Sequence, residues 1–390
     1  MKMTLVVQRY GVDVVGGAER LCRGVAEGLA ELHDVQVLTS CANSYRTWAN
    51  HYPAGSEMLN GVCVRRFLTE RERDMPRFNE LSDRLFSGPA TPADELAWID
   101  AQGPFAPALV DYLRTTSADA DVLLFFTYLY HPTVHGIHVA PERSVLVPTA
   151  HDERPFYFDT YEAVFTLPAG LIFNTDAEAE LVRRRFPHAR QPAQVIGVGV
   201  EDLDLLEAAR TAVEPSAGAP VLLYAGRIEE GKGVAELIAH VRRFRHDTGQ
   251  SPVLWLMGDV AMELPEEPWI KALGFVSHEE KRRRLAEATV LVAPSALESF
   301  GIVLLEANAA GTPVLANAAS GAYVEHCQRG GGGLWYQDFG EFREALDLLL
   351  QDAALASSLA RHGGQYARDH YSWEAIAAKY NHFLTELLER

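Results

Sequence analysis

Short apolar runs alternate with helix-patterned stretches along the whole chain. Thr4 to Val7 forms the first apolar run, two glycines follow at Gly16 and Gly17, a helix is predicted from about Ala18 to Glu31, and Val35 to Leu38 forms the next run. A strand, a glycine turn, a helix and a second strand in this order begin a doubly wound sheet. Further strands are predicted at Val122 to Phe126, Val145 to Val147, Gly170 to Phe173 and Val195 to Ile196.

A second series of strands starts beyond residues 214–220, a segment whose composition is typical of a linker. Its buried strands are predicted at Val221 to Tyr224, Val253 to Met257, Val290 to Val292 and Pro313 to Ala316. The repeated pattern predicts an α/β fold with two Rossmann-like, doubly wound domains that face a central cleft. We assign residues 1–200 to the first domain and 201–371 to the second, and we expect the last helix, about 372–390, to cross back to the first domain.

Length and composition support this organisation and exclude several functions. A chain of 390 residues is too long for one ordinary core, and a net charge of -18 argues against a nucleic-acid partner. The N-terminal apolar run is too short for a signal peptide, and the four cysteines show no CxxC spacing, so we expect a cytoplasmic chain with free thiols. Basic runs at 183–185 and 281–284 are interpreted as solvated helix faces, with peripheral contact to the inner face of the cytoplasmic membrane as the alternative.

The segment from Gly226 to Gly233 places two fixed cations among glycines, directly after a predicted buried strand. Arg227 offers a planar fork to two phosphate oxygens, whereas Lys232 is a compact point charge. Ligands of open α/β sheets bind at the carboxyl ends of the strands. The pattern therefore predicts a diphosphate site, with a solvated loop that carries chance cations as the alternative.

Two carboxylates follow in the same half of the chain. Glu298 precedes a helix predicted from Ile302 to Ala310, and Glu306 lies within that helix. Free N–H groups near Phe300 and Gly301 can receive a phosphate, while the carboxylates can accept hydrogen bonds from sugar and ribose hydroxyls. A glycosidase pair is disfavoured, because eight helical residues rise ~12 Å whereas hydrolytic carboxyls stand ~5–9.5 Å apart. A capping carboxylate and a solvated helix residue form the alternative.

Two features of the first half also suggest ligand binding. Gly16 and Gly17 lie where a helix begins, so a ligand can approach the backbone there, although an ordinary tight turn explains the pair equally well. His151 follows a predicted strand and can contact a reacting sugar or an acceptor hydroxyl, with a structural histidine as the alternative. Asp152 can orient His151 or cap a helix.

Three histidines, His131, His135 and His138, have the i, i+4, i+7 spacing of one helix face, as in some metal sites. No carboxylate is paired with them in the sequence. We therefore interpret this face, together with Tyr128 and Tyr130, as a wall of an acceptor pocket, and we predict no metal site.

These motifs resemble the GT4 family of retaining glycosyltransferases, which have the GT-B fold. The resemblance covers most of the chain and is strongest over residues 221–333. The run from Glu298 to Ala307 matches the E-x7-E motif of the family, Gly16 to Arg20 resembles its N-terminal glycine loop, and His151-Asp152 resembles its cleft histidine. Other shared motifs are Ala225-Gly226-Arg227, Lys232-Gly233, Met257-Gly258-Asp259, Gly274-Phe275-Val276-Ser277 and Pro294-Ser295.

The resemblance implies a role for each position. Arg227 and Lys232 would neutralise the diphosphate, Glu298 would bind the donor sugar, Glu306 would hold the ribose, and His151 would lie near the anomeric carbon or the acceptor. The residues implied to bind the donor are Gly16, Gly17, Gly226, Phe275, Val276, Ser299, Phe300, Gly301, Ile302 and Glu306.

We therefore expect a retaining, metal-independent hexosyltransferase of glycan or glycoconjugate biosynthesis. It would move a hexose-type sugar from a nucleotide-diphosphate sugar, UDP-linked rather than GDP-linked, to a hydroxyl of a saccharide, a lipid-linked acceptor or a small molecule. No cofactor other than this donor is expected. The alternatives are a nucleotide-sugar epimerase and a non-catalytic nucleotide-sugar-binding partner of the same fold.

Overall fold

The computed structural model describes residues 1–14, 16–212 and 218–390, which fall into two compact units. Unit 1 comprises Met1–Gly197 and Ile376–Arg390, and unit 2 comprises Val198–Ala375. The chain thus passes between the units after Gly197, and the helix that precedes residue 213 already belongs to unit 2. Residues 214–217 of the segment interpreted as a linker lie outside the described residues.

Unit 1 is built on an eight-stranded sheet in the order β3-β4-β2-β1-β5-β6-β7-β8. All neighbouring strands are parallel except β3 and β4, which form an antiparallel hairpin at one edge. The strand order reverses between β1 and β5. The elements are β1 (Lys2–Val6), α1 (Gly17–Ala30), β2 (Asp34–Ser40), β3 (Gly55–Leu59), β4 (Val62–Phe67), α2 (Met75–Ser87), α3 (Pro92–Gln102), α4 (Pro107–Thr116), β5 (Val122–Phe126), α5 (His131–Gly136), β6 (Ser144–Val147), α6 (Tyr161–Thr166), β7 (Gly170–Phe173), α7 (Asp176–Arg185) and β8 (Ala193–Val195).

Unit 2 is built on a six-stranded parallel sheet in the order β11-β10-β9-β12-β13-β14. Its strand order reverses between β9 and β12. The elements are α8 (Leu203–Ala212), β9 (Val221–Ala225), α9 (Val234–Thr248), β10 (Val253–Met257), β11 (Ile270–Gly274), α10 (His278–Glu287), β12 (Val290–Ala293), α11 (Ile302–Ala309), β13 (Val314–Asn317), α12 (Gly321–Gly330), β14 (Gly333–Tyr336), α13 (Phe339–Gln351) and α14 (Ala353–Tyr371).

The last helix, α15 (Trp373–Leu388), is long but packs against unit 1 from residue 376 onward. A side chain at Gly28 would lie 2.6 Å from Cβ of Ala377, so α1 and α15 can approach closely only because Gly28 lacks a side chain. The side-chain oxygen of Asn381 lies 2.6 Å from Nε2 of His33. Among the helices of the described residues, none is long and apolar enough to cross a membrane.

Apolar cores explain why the central strands are visible in the sequence. All residues of β5, β6, β7 and β12 are buried, and the apolar residues of the sheet centres form continuous clusters with the flanking helices. The predicted strands in both units are confirmed to within a few residues. The hairpin β3-β4 and the strands β11 and β14 were not predicted.

Candidate active site

The loops after β9 and β10 are tied together at the carboxyl edge of the unit 2 sheet. The backbone N–H of Ile228 donates to the carbonyl of Asp259 at 2.8 Å. A side chain at Gly258 would overlap the carbonyl oxygen of Gly226, so only glycine fits between the two loops. This close packing fixes the backbone on which Arg227 is carried.

The side chains of Arg227 and Lys232 in this loop contact different carboxylates. Nη1 of Arg227 lies 3.3 Å from Oε1 of Glu229, and the arginine side chain is 45% exposed. Nζ of Lys232 lies 3.4 Å from Oε2 of Glu298, which belongs to the loop after β12. The cation loop and the first predicted carboxylate therefore meet at the point where the strand order reverses, which is where open α/β sheets bind ligands.

Glu298 lies in the turn that connects β12 to α11. Gly301 ends this turn with φ of 88°, and a side chain there would lie 2.6 Å from the ring of Tyr323. The hydroxyl of Tyr323 lies 3.5 Å from Oε2 of Glu298. Burial, together with the charge of Glu298, raises the pKa of Tyr323 well above its usual value. Tyr323 is therefore a neutral hydrogen-bond donor beside the carboxylate.

Glu306 lies within helix α11 and has a cationic partner that the sequence did not indicate. Its side chain is 5% exposed, and its Oε2 lies 2.6 Å from Nζ of Lys281 on α10. A buried carboxylate is costly unless a cation and hydrogen bonds compensate its charge. Lys281 therefore compensates the charge of the buried Glu306, whose carboxylate oxygens can also accept hydrogen bonds.

The basic run 281–284 is thus largely an ion-paired surface and differs from the solvated face that its sequence suggests. Nη1 of Arg282 lies 2.6 Å from Oδ2 of Asp202, on the turn before α8. Arg283 and Arg284 pair with Glu280 and Glu287 of their own helix. These contacts satisfy the cations within unit 2.

The other predicted donor-binding residues lie at the ends of β11 and β12. Phe275 directly follows β11, and its side chain is 73% exposed, while Val276 is half-buried. The ring of Phe300 is buried against His326 and Tyr371, so this residue can reach a ligand only through its backbone. Ser299 and Ile302 are half-buried on either side of the buried pair Phe300-Gly301.

In unit 1, the glycine loop before α1 is packed against a buried ion pair. Nη2 of Arg9 lies 2.6 Å from Oε1 of Glu19, and both side chains are 6% exposed. A side chain at Gly16 would overlap the Glu19 carboxylate, whereas the space beside Gly17 is open. The carboxylate of Glu19 thus lies beside the first turn of α1, and its negative charge opposes the binding of an anion at this turn.

Replacing Gly16 and Gly17 separately by alanine is expected to give opposite results. Gly16→Ala should lower the free energy of unfolding by about 1–3 kcal/mol, because the added methyl displaces a buried ion pair. Gly17→Ala should leave it unchanged or raise it by about 0.4–1 kcal/mol, since Gly17 begins a helix and has free space around it. Urea denaturation of both variants measures the difference. Equal stabilities would mean that Gly16 does not confine Glu19.

His151 lies four residues beyond the end of β6 and is paired with Glu153, not with Asp152. Its Nε2 lies 3.4 Å from Oε2 of Glu153, whose Oε1 accepts a hydrogen bond of 2.7 Å from the hydroxyl of Tyr128. Asp152 instead accepts from the hydroxyl of Tyr157 at 2.8 Å. Of the two roles left open for Asp152, orientation of His151 thus belongs to Glu153 instead, because the chain turns so that this next carboxylate faces the imidazole.

A second, fully buried carboxyl group lies beneath this loop. Oε1 of Glu178 accepts from the backbone N–H of Ala150 at 2.6 Å, and Oε2 accepts from that of Asn174 at 2.7 Å. Burial raises the pKa of Glu178 to about 8, although these two hydrogen bonds and the charge of His151 oppose the shift. Glu178 joins the ends of β6 and β7 and so supports the segment that carries His151.

We expect the buried carboxyl group to make unit 1 less stable as the pH rises. The pKa of Glu178 is higher in the folded chain, about 8, than its usual value of 4.5, so between these values the folded state binds more protons than the unfolded state. Its contribution to the free energy of unfolding is therefore full below about pH 4.5 and falls until about pH 8. Glu178→Gln should flatten this fall. Urea denaturation across this range compares the slopes, and identical slopes would mean that Glu178 is ionised throughout.

The three histidines do not share one helix face. Helix α5 ends at Gly136, and His138 is exposed beyond it. His131 and His135 stay together on α5, with ring centroids 4.3 Å apart, and Asp100 of α3 faces both. Burial and the neighbouring His135 lower the pKa of His131 to about 4. The missing carboxylate partner thus comes from a distant part of the sequence.

Tyr128 does not form the wall of a pocket. Its ring is buried in the core of unit 1 against Phe156, Tyr161 and Phe165, and only its hydroxyl reaches the polar loop at Glu153. Its pKa is raised well above the usual value by burial and by the Glu153 charge, so this hydroxyl is a permanent donor. Tyr128 therefore supports the partner of His151.

Comparison with known proteins connects this geometry to a class of enzyme. Residues 207–370 match the family described as "Glycosyl transferases group 1", and this segment contains the Lys232–Glu298 and Lys281–Glu306 ion pairs. Glycogen synthase of Mycobacterium tuberculosis is 27% identical over 97% of this chain and 92% of its own length. These similarities make the chain a glycosyltransferase.

Solved structures agree on the fold. Sucrose-phosphate synthase from Thermosynechococcus elongatus is similar over 100% of both chains, with a TM-score of 0.72 and 20% identity. Anabaena HepE in complex with UDP and glucose covers 99% of this chain and 100% of its own, with a TM-score of 0.68 and 18% identity. The chain therefore has the GT-B type of fold with two Rossmann-like α/β domains, as the sequence predicted.

Proposed function

We propose that this chain is a retaining, metal-independent hexosyltransferase of the GT4 type. It takes the sugar from a nucleotide-diphosphate sugar and transfers it to an acceptor hydroxyl in glycan or glycoconjugate biosynthesis. The observation that carries the proposal is a set of two ion pairs in unit 2: Lys232 with Glu298 at the switch point, and Lys281 of α10 with Glu306 of α11. Each pair combines a cation with a carboxylate, and we propose that the cations bind phosphate and the carboxylates bind hydroxyl groups.

The departing diphosphate requires positive charge that is already in place. Arg227 and Lys232 supply fixed cations, and the N-terminus of α11 at Gly301 offers backbone N–H groups and the positive end of a helix dipole. Preorganised donors of this kind stabilise developing charge without reorganisation during the reaction. These groups take the role that a divalent ion has in other nucleotide-sugar enzymes.

The two carboxylates bind hydroxyl groups at different depths. Glu298, whose side chain is 29% exposed, is proposed to bind the donor sugar. Glu306, whose side chain is 5% exposed, is proposed to bind the ribose. Phe275 and Val276 follow β11 and are proposed to meet the base through their backbone. A UDP-sugar is favoured over a GDP-sugar, since the similar HepE binds UDP and glucose.

The transfer step exchanges one bond at the anomeric carbon for another. The bond from this carbon to the β-phosphate oxygen breaks, the acceptor oxygen forms the new bond on the same face, and the acceptor proton passes to the leaving phosphate. No side chain is assigned as a nucleophile. His151, oriented by Glu153, is proposed to contact the reacting sugar or the acceptor hydroxyl.

Three measurements test the proposal in sequence. A thermal-shift screen with nucleotide-sugars identifies the donor, and a coupled assay then measures release of the nucleoside diphosphate with a panel of acceptors. Turnover should persist in EDTA, and NMR should show that the product keeps the anomeric configuration of the donor. A strict divalent requirement would overturn the metal-free reaction, and inversion would overturn the GT4 placement.

The same assays separate the alternatives. An epimerase would convert the donor sugar in the absence of any acceptor, and NMR of the donor pool would detect the new isomer. A non-catalytic binding partner would be stabilised by the donor yet release no nucleoside diphosphate. Acceptor-dependent release of the nucleoside diphosphate excludes both.

A further inference from the structure

Three side chains of unit 1 that the proposed reaction does not use converge on one point. Asp100 lies near the end of α3, and His131 and His135 lie one turn apart on α5. Nε2 of His135 lies 3.3 Å from Oδ1 of Asp100, and Nε2 of His131 lies 3.8 Å from the same oxygen. One ligand atom from each residue lies within 4.8 Å of the others.

The distance between His131 and Asp100 suits two ligands of one metal ion better than a hydrogen-bonded pair. At 3.8 Å, His131 and Asp100 are too far apart for a hydrogen bond. Nδ1 of the buried His131 also has no hydrogen-bond partner among the described residues. Two ligand atoms that each lie about 2.0–2.2 Å from one zinc ion stand about 3.3 Å apart at a tetrahedral angle and at most about 4.4 Å apart in line. Both observed distances fall in that range.

We propose that Asp100, His131 and His135 bind one divalent transition-metal ion, for which zinc is the best match. Imidazole nitrogen and carboxylate oxygen are ligands that zinc accepts, and three protein ligands leave one coordination position for water. The ion would join α3 to α5 and thereby hold two helices of unit 1 together. All three ligands belong to unit 1, whereas the proposed diphosphate and ribose groups belong to unit 2.

A nearby cation limits the affinity of this site. Nη2 of Arg71 lies 3.5 Å from the backbone carbonyl of Asp100, and its guanidinium stacks on Phe105 at 3.8 Å from the ring centroid. Phe105 in turn packs edge-on against His131. A like charge so close to the ligands opposes a divalent ion. We therefore expect reversible binding that a chelator removes.

The test uses the full chain after removal of metal with a chelator. Isothermal titration with zinc should show one binding site, and zinc should raise the temperature of thermal unfolding. Both effects should disappear in His135→Ala and Asp100→Asn and persist in the matched control His138→Ala, whose histidine is exposed and lies outside the cluster. His135 is 34% exposed, so its replacement should leave the fold intact, which circular dichroism checks.

Cobalt gives a second, spectroscopic measurement. Co²⁺ bound by two imidazoles and a carboxylate should produce visible absorption bands that Asp100→Asn removes and His138→Ala retains. Wild-type chain that binds no zinc, or His135→Ala chain that binds it as the wild type does, would overturn the proposal. Because the readouts are binding, stability and absorption, the result does not depend on whether the chain transfers a hexose.

Discussion

Lys232→Ala is expected to lower kcat for sugar transfer by about 10²–10³-fold while the chain stays folded. Lys232 lies in a short loop with a side chain that is 23% exposed, and its partner Glu298 is 29% exposed. Removing the lysine therefore leaves no deeply buried charge unpaired. The loss should instead fall on the transition state, where charge develops on the departing diphosphate. Steady-state kinetics with the donor identified by the thermal-shift screen measures the effect.

Lys271→Ala is the matched control for this variant. Lys271 is an exposed lysine of the same unit on the edge strand β11, and it contacts the ring of Trp255 at 5.9 Å. Its replacement should change kcat by less than about twofold, since it removes the same charge from a surface position outside the proposed diphosphate site. A Lys232→Ala enzyme that turns over as fast as the Lys271→Ala enzyme would contradict the assignment of the diphosphate site.

Which strands the sequence reveals depends on where they lie in the sheet. β5, β12 and their central neighbours are buried on both faces, so their sequences are continuous apolar runs. β3 is exposed along nearly its whole length, and β11 (Ile270–Gly274) contains an exposed lysine and alanine. Edge strands need no apolar run on their outer side, so periodicity alone does not identify them.

The candidate site also contains features that the sequence indicates and others that it does not. Gly226, Gly233 and Gly301 could be predicted because a sharp turn after a strand demands glycine, and the cations and carboxylates of those turns stand beside them in the sequence. The ion-pair partners of these charged groups could not be predicted from the sequence. Lys281 of α10 contacts Glu306 of α11, and the sequences of the two helices do not show which of their side chains meet when α10 packs on α11.

Unit 1 shows the same limit more sharply. The sequence left open whether Asp152 orients His151 or caps a helix, and the local turn brings Glu153 to the imidazole instead. Asp100 and the two histidines of α5 come from separate helices, and only the packing of α3 on α5 makes them a cluster. Sequence spacing within one helix is informative about shared faces, whereas pairing between helices is decided by the whole core.

The ion pair of Glu306 leads to the second large effect. Glu306→Gln should raise KM for the nucleotide-sugar about 10–100-fold, with a smaller change in kcat, because hydrogen bonds to a charged group are worth about 1.5–3 kcal/mol. The substitution keeps the shape of the side chain but removes the charge that Lys281 balances at 2.6 Å. Glu344→Gln on α13, whose glutamate is 71% exposed, is the matched control and should behave as the wild type.

A 2′-deoxynucleotide distinguishes a lost ribose contact from a general loosening of the site. If Glu306 accepts hydrogen bonds from the ribose, the wild-type chain should bind a nucleoside diphosphate more tightly than its 2′-deoxy form, and Glu306→Gln should bind both with similar, weak affinity. Competition binding with the two nucleotides measures this. Lys281→Met should weaken the same discrimination, because it removes the cation that lies 2.6 Å from the buried carboxylate and compensates its charge. A Glu306→Gln chain that still prefers the ribonucleotide as strongly as the wild type would assign the ribose contact to another residue.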